Sequence, residues 1–132
     1  MRHLFAIRVA LKIESVRGLS FARTHGARWG RLVAARGDLY VEVGRPHRIV
    51  GALREVIAAD REAIAASRLF DSLARHDVPE AQDITDAAYL MALGYRSFAL
   101  GDEVCLRRDS VISALNLLEA GAAEAAPCGS GS

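Results

Sequence analysis

The chain has 132 residues, with 17 Lys+Arg against 16 Asp+Glu, 52% hydrophobic and 6% aromatic residues. That length is one domain with enough apolar material for a real core. The balanced charge and scattered arginines lack the footprint of a nucleic-acid binder, and no apolar run approaches the roughly 18 residues that cross a bilayer.

Met1-Arg-His-Leu-Phe-Ala6 leads straight into a strand-like pattern without a small-residue cleavage site, so a cytoplasmic location is expected. Cys105 and Cys128 have no metal-ligand spacing and are expected to be reduced, structural thiols. Phe5 to Ile13 alternates and predicts a buried strand interrupted by Arg8 and Lys12. Ser15 can cap a short helix from Val16 to about His25, which Gly26 stops. Arg31 to Ala35 predicts a second strand, which breaks at Arg36-Gly-Asp38 and restarts as an apolar, acidic turn up to Gly44. Pro46 suits the first turn of a helix, and Ile49, Leu53, Val56 and Ile57 continue it at helical spacing to about Ala59.

Glu62-Ala-Ile-Ala-Ala66 reads as a third strand or as a continuation of the preceding helix, because alanine is a poor strand former. Ser67 to about Arg75 reads as a helix, His76-Asp-Val-Pro79 as a loop, and Asp83 or Thr85 as the cap of a helix carrying Ala87, Leu90 and Met91 up to Gly94. Ser97 to Leu100 predicts a fourth strand, and Asp109 or Ser110 the start of a last helix with Val111, Ile112, Leu115 and Leu118 on one face. From about Ala120 the composition turns to Gly, Ala, Ser and Pro, so residues 1–120 are expected as the domain and 121–132 as a flexible tail. Strands alternating with helices imply an α/β fold with a parallel sheet and right-handed crossovers.

Within that sheet, a buried strand that delivers Asp38 just after Gly37 is how parallel sheets present a metal ligand at their C-terminal edge. Val9-Ala-Leu-Lys-Ile-Glu14 ends in the same manner, with Lys12 and Glu14. Neighbouring parallel strands lie roughly 5 Å apart, so Glu14 and Asp38 could share one divalent cation. The plainer reading is that charges gather at strand ends because those ends meet solvent. His3, His25, His47 and His76 fall at unrelated spacings and are assigned no chemistry. Asp102 and Glu103 either line the same edge or form a solvated acidic turn.

Taken together, these segments resemble pyruvate kinase, specifically the second half of its (β/α)8 barrel. Leu11-Lys-Ile-Glu14 is similar to the family's Lys-Ile-Glu strand end, and Ala35-Arg-Gly-Asp-Leu39 followed by Val41-Glu-Val43 to its Ala-Arg-Gly-Asp-Leu-Gly-Val-Glu signature. Ala66-Ser-Arg-Leu-Phe-Asp-Ser-Leu73 stands in place of Ala-Thr-Gln-Met-Leu-Glu-Ser-Met. Pro79, Thr85-Asp86-Ala87, Gly94 and Leu100-Gly-Asp-Glu103 keep later spacings, so the likeness runs from about Leu11 to Glu119. It tips the third segment to a strand and implies four parallel βα units forming half of a TIM (β/α)8 barrel, completed by oligomerisation.

The resemblance implies that Glu14 and Asp38 hold Mg²⁺, which binds the carboxylate and enolate oxygen of phosphoenolpyruvate or pyruvate. Lys12 would neutralise phosphoryl or enolate charge, and Ser67 stands at the family's proton-transfer threonine. Arg36, Gly37 and Asp38 would form the substrate-binding turn, with the backbone N–H groups of Gly37 and Asp38 at a short helix start receiving the substrate carboxylate. A plainer role for Arg36 is an ion pair with Glu14 or Asp38, and for Ser67 a helix cap. Tyr40 stands where the family has glycine and Arg68 where it has glutamine; Tyr40 is expected to pack over the pocket. The first four strands, the nucleotide-covering lid domain and the regulatory domain are absent from this stretch, so ATP-forming phosphotransfer by the chain alone is not expected. A full barrel takes about 250 residues, and half a barrel exposes open strand edges. The expected remedies are a homodimer or a partner chain supplying the other half. The alternative is a non-catalytic fragment, serving as an interaction or regulatory subunit or standing as a truncated remnant.

Overall fold

The computed structural model describes residues 7–125. Four strands, β1 (Ala10–Ile13), β2 (Arg31–Ala35), β3 (Ile64–Ala66) and β4 (Ser97–Phe98), form one parallel sheet in the order β1-β2-β3-β4. Between and after them run α1 (Val16–His25), α2 (Arg36–Glu42), α3 (Arg48–Ala59), α4 (Ala81–Leu93), α5 (Asp102–Cys105) and α6 (Arg108–Ala125). Each strand pairs with its successor, so no crossover reverses direction and right-handed connections put the helices on one face. That is the winding of a barrel wall; a doubly wound sheet changes direction at a switch point.

Burial follows this geometry. Ile13, Leu32, Ala34 and Ala65 are buried against Leu53 and Val56 of α3 and Leu90 of α4, with Phe70, Leu73 and Tyr95 closing the same core. Lys12, Val33, Ile64 and Ser97 are aligned across the sheet on its other face, and none of them is buried. The Tyr95 hydroxyl donates to the Leu53 carbonyl at 2.7 Å. Asp60, also buried, accepts from the Leu32 N–H at 3.0 Å and from Arg31 Nη1 at 2.5 Å, which locks the end of α3 to the start of β2. No helix among the described residues is long and apolar enough to cross a membrane.

Several expected boundaries move. The first strand, expected from Phe5, begins at Ala10, because pairing starts only where the Arg31 N–H meets the Val9 carbonyl at 2.9 Å. Residues 5 and 6 lie outside the described span. The third strand starts two residues late, since Asp60 draws the Glu62 N–H into a turn at 3.0 Å. The acidic turn after Gly37 is a helix, α2, anchored by the fully buried Leu39.

The expected helix from Ser67 to Arg75 is replaced by a loop ending in a single 3-10 turn at Asp71–Ala74. Ser67, Arg68 and Phe70 have φ of 74°, 57° and 54°, a left-handed conformation that L side chains rarely adopt. Two Arg36 donors hold the Ser67 carbonyl in this loop, and Leu69 and Phe70 enter the core just beyond it. Helix α4 begins before Asp83 and Thr85: the Asp83 carboxylate accepts from the Glu80 N–H at 2.8 Å and from the Ser72 hydroxyl. The last helix passes Ala120 and runs to Ala125, through alanines and a glutamate that favour helix. The remainder of the expected tail, with Cys128, lies outside the described residues.

Candidate functional site

The candidate residues sit where β1 and β2 end. Lys12 is paired in register with Val33 and Ile13 with Ala34, so Glu14 follows β1 level with the last residue of β2, and Asp38 is the third residue of α2 beyond it. Lys12 Nζ is 3.0 Å from Glu14 Oε2 and 3.6 Å from Asp38 Oδ2. All three side chains are open to solvent. The hydrogen bond from Lys12 to Glu14, then the charges of Glu14 and Asp38, raise the ammonium above its ordinary pKa of 10.5. Both carboxylates therefore reach one cation-sized point from two adjacent chain segments.

This donor set fits Mg²⁺, which is commonly held by one or two carboxylates with substrate oxygens and water completing the shell. No group of three or more His, Cys, Asp or Glu that could hold a metal ion gathers among the described residues, so Glu14 and Asp38 are the two anionic ligands this edge offers there.

Arg36 is placed differently from the expected ion pair with Glu14 or Asp38. Its Nη1 donates to Asp86 Oδ1 at 2.6 Å, and its Nη2 and Nε donate to the Ser67 carbonyl at 2.7 and 3.1 Å. The side chain is nearly buried in that position. The start of α2 is thereby tied to the left-handed loop after β3 and to α4. Asp86 stands 50 residues away in sequence, and no local signal joins the two.

Ser67 comes beside Gly37: its Cβ would lie 3.7 Å, and its hydroxyl 3.9 Å, from a Cβ built at that glycine. Its hydroxyl makes no hydrogen bond to Lys12, Glu14 or Asp38 among the described residues. Asp102 and Glu103, in the first turn of α5, are exposed.

On the side of α2 away from Asp38 lies a cavity of about 370 Å³ bordered by Gly37, Tyr40, Arg68 and Tyr89. Tyr40 lines this cavity and remains half exposed. Sequence reasoning gave Arg68 only as a departure and Tyr89 no role, because the cavity is assembled from four separate segments.

No family model and no curated protein sequence matches the chain. Among solved structures it is similar to a crystal structure of a pyruvate kinase from Cryptosporidium parvum, with a TM-score of 0.76 and 21% sequence identity over 88% of this chain and 24% of that one. The chain thus spans about a quarter of the length of the structure it matches. Its architecture is a pyruvate-kinase-like fold, four parallel βα units corresponding to half of an eight-stranded barrel.

Proposed function

We propose that the chain carries a Mg²⁺-dependent site for an enolpyruvate or related 2-oxo acid, in a half-barrel completed by a second copy or by a partner chain. The observation that supports this reading is the convergence of Lys12, Glu14 and Asp38 at the C-terminal ends of adjacent parallel strands, the edge at which barrel enzymes carry out their chemistry. Glu14 and Asp38 would hold the ion, whose charge would favour negative charge developing on a substrate carbonyl oxygen. Lys12 would neutralise charge on the enolate. The N–H groups of Gly37 and Asp38 lie in the first turn of α2, where helical geometry leaves them without intrahelical acceptors, and they would receive the substrate carboxylate. Arg36 would act in the substrate-binding turn chiefly by fixing it, since its donors already serve Ser67 and Asp86. Ser67 is the candidate for carrying a proton.

The need for a second half follows from the sheet. Parallel sheets occur almost only with both faces covered, yet the Lys12, Val33, Ile64 and Ser97 face is not buried and β1 and β4 are open edges. Closing eight strands would cover both.

The test is deuterium exchange at the pyruvate methyl group in D₂O, followed by NMR with and without Mg²⁺. Mg²⁺-dependent exchange that Asp38→Asn abolishes is expected. A folded protein that gives no exchange above buffer overturns the enzymatic reading. It would favour the second one, a non-catalytic barrel subunit, for which the enclosure of Arg36 by Ser67 and Asp86 is the supporting observation.

A further inference from the structure

We infer that the cavity behind α2 is a second binding site, for a monocarboxylate with a compact aromatic or branched apolar body. Its volume of about 370 Å³ lies within the usual range for small-molecule sites. Three sides of it are apolar: Leu53 and, half-buried, Ile49 and Val50 come from one face of α3, and the rings of Tyr40 and Tyr89 stand at the rim. The fourth side carries charge. Arg68, an exposed residue, borders the cavity and makes no salt bridge or side-chain hydrogen bond among the described residues. The other two charged groups there, Arg36 and Asp86, are paired with each other at 2.6 Å. The cavity wall therefore carries one net positive charge, and that charge sits on the guanidinium whose donors are open.

The backbone that carries Arg68 is tied down. Arg68 has a φ of 57° and Ser67 one of 74°, strained conformations that persist where the surroundings over-determine them. Here the surroundings are the two Arg36 donors on the Ser67 carbonyl and the burial of Leu69 and Phe70 just beyond. The Arg68 Nε lies 3.8 Å from the place a Cβ would occupy on Gly37. A planar fork beside an apolar wall suits one carboxylate taken in bidentate fashion, with the ligand's body against α3 and between the tyrosines. Arg36 and Gly37 of the proposed substrate-binding turn border this space, but none of Lys12, Glu14, Asp38 or Ser67 does, so its occupation needs no Mg²⁺.

The experiment is a titration of the ¹⁵N-labelled full chain with 3-phenylpropionate in metal-free buffer, read from amide shifts, beside the neutral probe 3-phenylpropan-1-ol. Saturable shifts centred on Gly37, Val50, Arg68 and Tyr89 are expected. Affinity should fall by roughly tenfold or more for the alcohol and for Arg68→Gln, as for loss of a charge-assisted hydrogen-bonding partner. Asp38→Asn should bind as the wild type does. Equal affinity for acid and alcohol would overturn the proposal, as would an unchanged affinity in a folded Arg68→Gln. Absence of saturable shifts up to about 10 mM, or shifts centred on Lys12 and Glu14 and lost in Asp38→Asn, would overturn it as well; that millimolar ceiling corresponds to only about 3 kcal/mol of binding.

Discussion

Replacing Arg36 by methionine keeps most of the aliphatic stem and removes the three donors that join α2, the left-handed loop and α4. The two N–H groups on the Ser67 carbonyl form a charge-assisted contact at 2.7 and 3.1 Å on a nearly buried side chain, worth about 1.5–3 kcal/mol because the carbonyl would be left without that partner. The Asp86 pair is short, at 2.6 Å, but the aspartate is 35% exposed, so solvent screening limits its share to about 0.5–1 kcal/mol. The expected loss is about 3 kcal/mol, a large part of the 5–15 kcal/mol typical of a domain, with a fall in Tm of about 10 °C. Urea unfolding followed by circular dichroism measures it. Arg36→Lys should recover less than half, because an ammonium cannot span both acceptors. A methionine variant within about 0.5 kcal/mol of wild type, the scatter of ordinary surface substitutions, would refute the clamp and return Arg36 to a purely substrate-facing role.

Glu14→Gln should bring the Lys12 pKa down towards 10.5, since the Glu14 contact is the leading cause of its rise; an unchanged ε-methylene titration by NMR would contradict this. Because the folded value is the higher one, the pair stabilises the fold fully below the unfolded pKa, and that contribution disappears as pH rises through the folded value. Tyr95, whose hydroxyl burial raises above its ordinary 10.0, should add to the same alkaline loss, beginning at about pH 10. Tyr95→Phe should cost about 1 kcal/mol at pH 7 through the bond to Leu53 and show a shallower decline above pH 10. Gly30→Ala should cost about 1–3 kcal/mol, because a Cβ there would stand 2.6 Å from the Val9 carbonyl oxygen and force the entry to β2 apart; unfolding at the wild-type urea midpoint would disprove that approach. A dimer mass by light scattering is the expected outcome if a second copy completes the barrel, whereas a stable folded monomer would exclude self-closure.

The strand and helix alternation was legible because each strand is short, apolar and bounded by a glycine or a charged turn, as at Gly30 before β2 and Gly94 before β4. The trio of Lys12, Glu14 and Asp38 was legible for the same reason: a parallel sheet brings the ends of successive strands together, so local position predicts proximity. Arg36 shows where that reasoning stops. Its partners are a backbone carbonyl 31 residues away and a carboxylate 50 residues away, and nothing in the local pattern distinguishes them from Glu14 or Asp38 as acceptors. The segment from Ser67 to Arg75 fails differently. Its composition suits a helix, but the chain takes left-handed φ at Ser67, Arg68 and Phe70, with the Ser67 carbonyl held by Arg36 from 31 residues away. Tertiary contacts overrode local preference there.

The two charged clusters at the strand ends differ in kind, and the difference bears on what the chain can do. Lys12, Glu14 and Asp38 are exposed and, among the described residues, paired with one another, so each surface pair adds little to stability and can be rearranged by a ligand at small cost. Arg36, Ser67 and Asp86 are interlocked across three elements, and disturbing them carries the penalty derived above. A site for transient binding needs groups of the first sort standing on a support of the second, because adaptable ligands are useful only when their backbone attachment is fixed. Asp38 and Arg36 share one turn of α2, so the rigid cluster directly positions one member of the adaptable one. It follows that Arg36→Met should weaken Mg²⁺ competition for Lys12, seen as a smaller metal-induced fall in the Lys12 pKa, even though Arg36 touches neither Lys12 nor Glu14. An equal fall in both proteins would show that the two clusters are energetically separate.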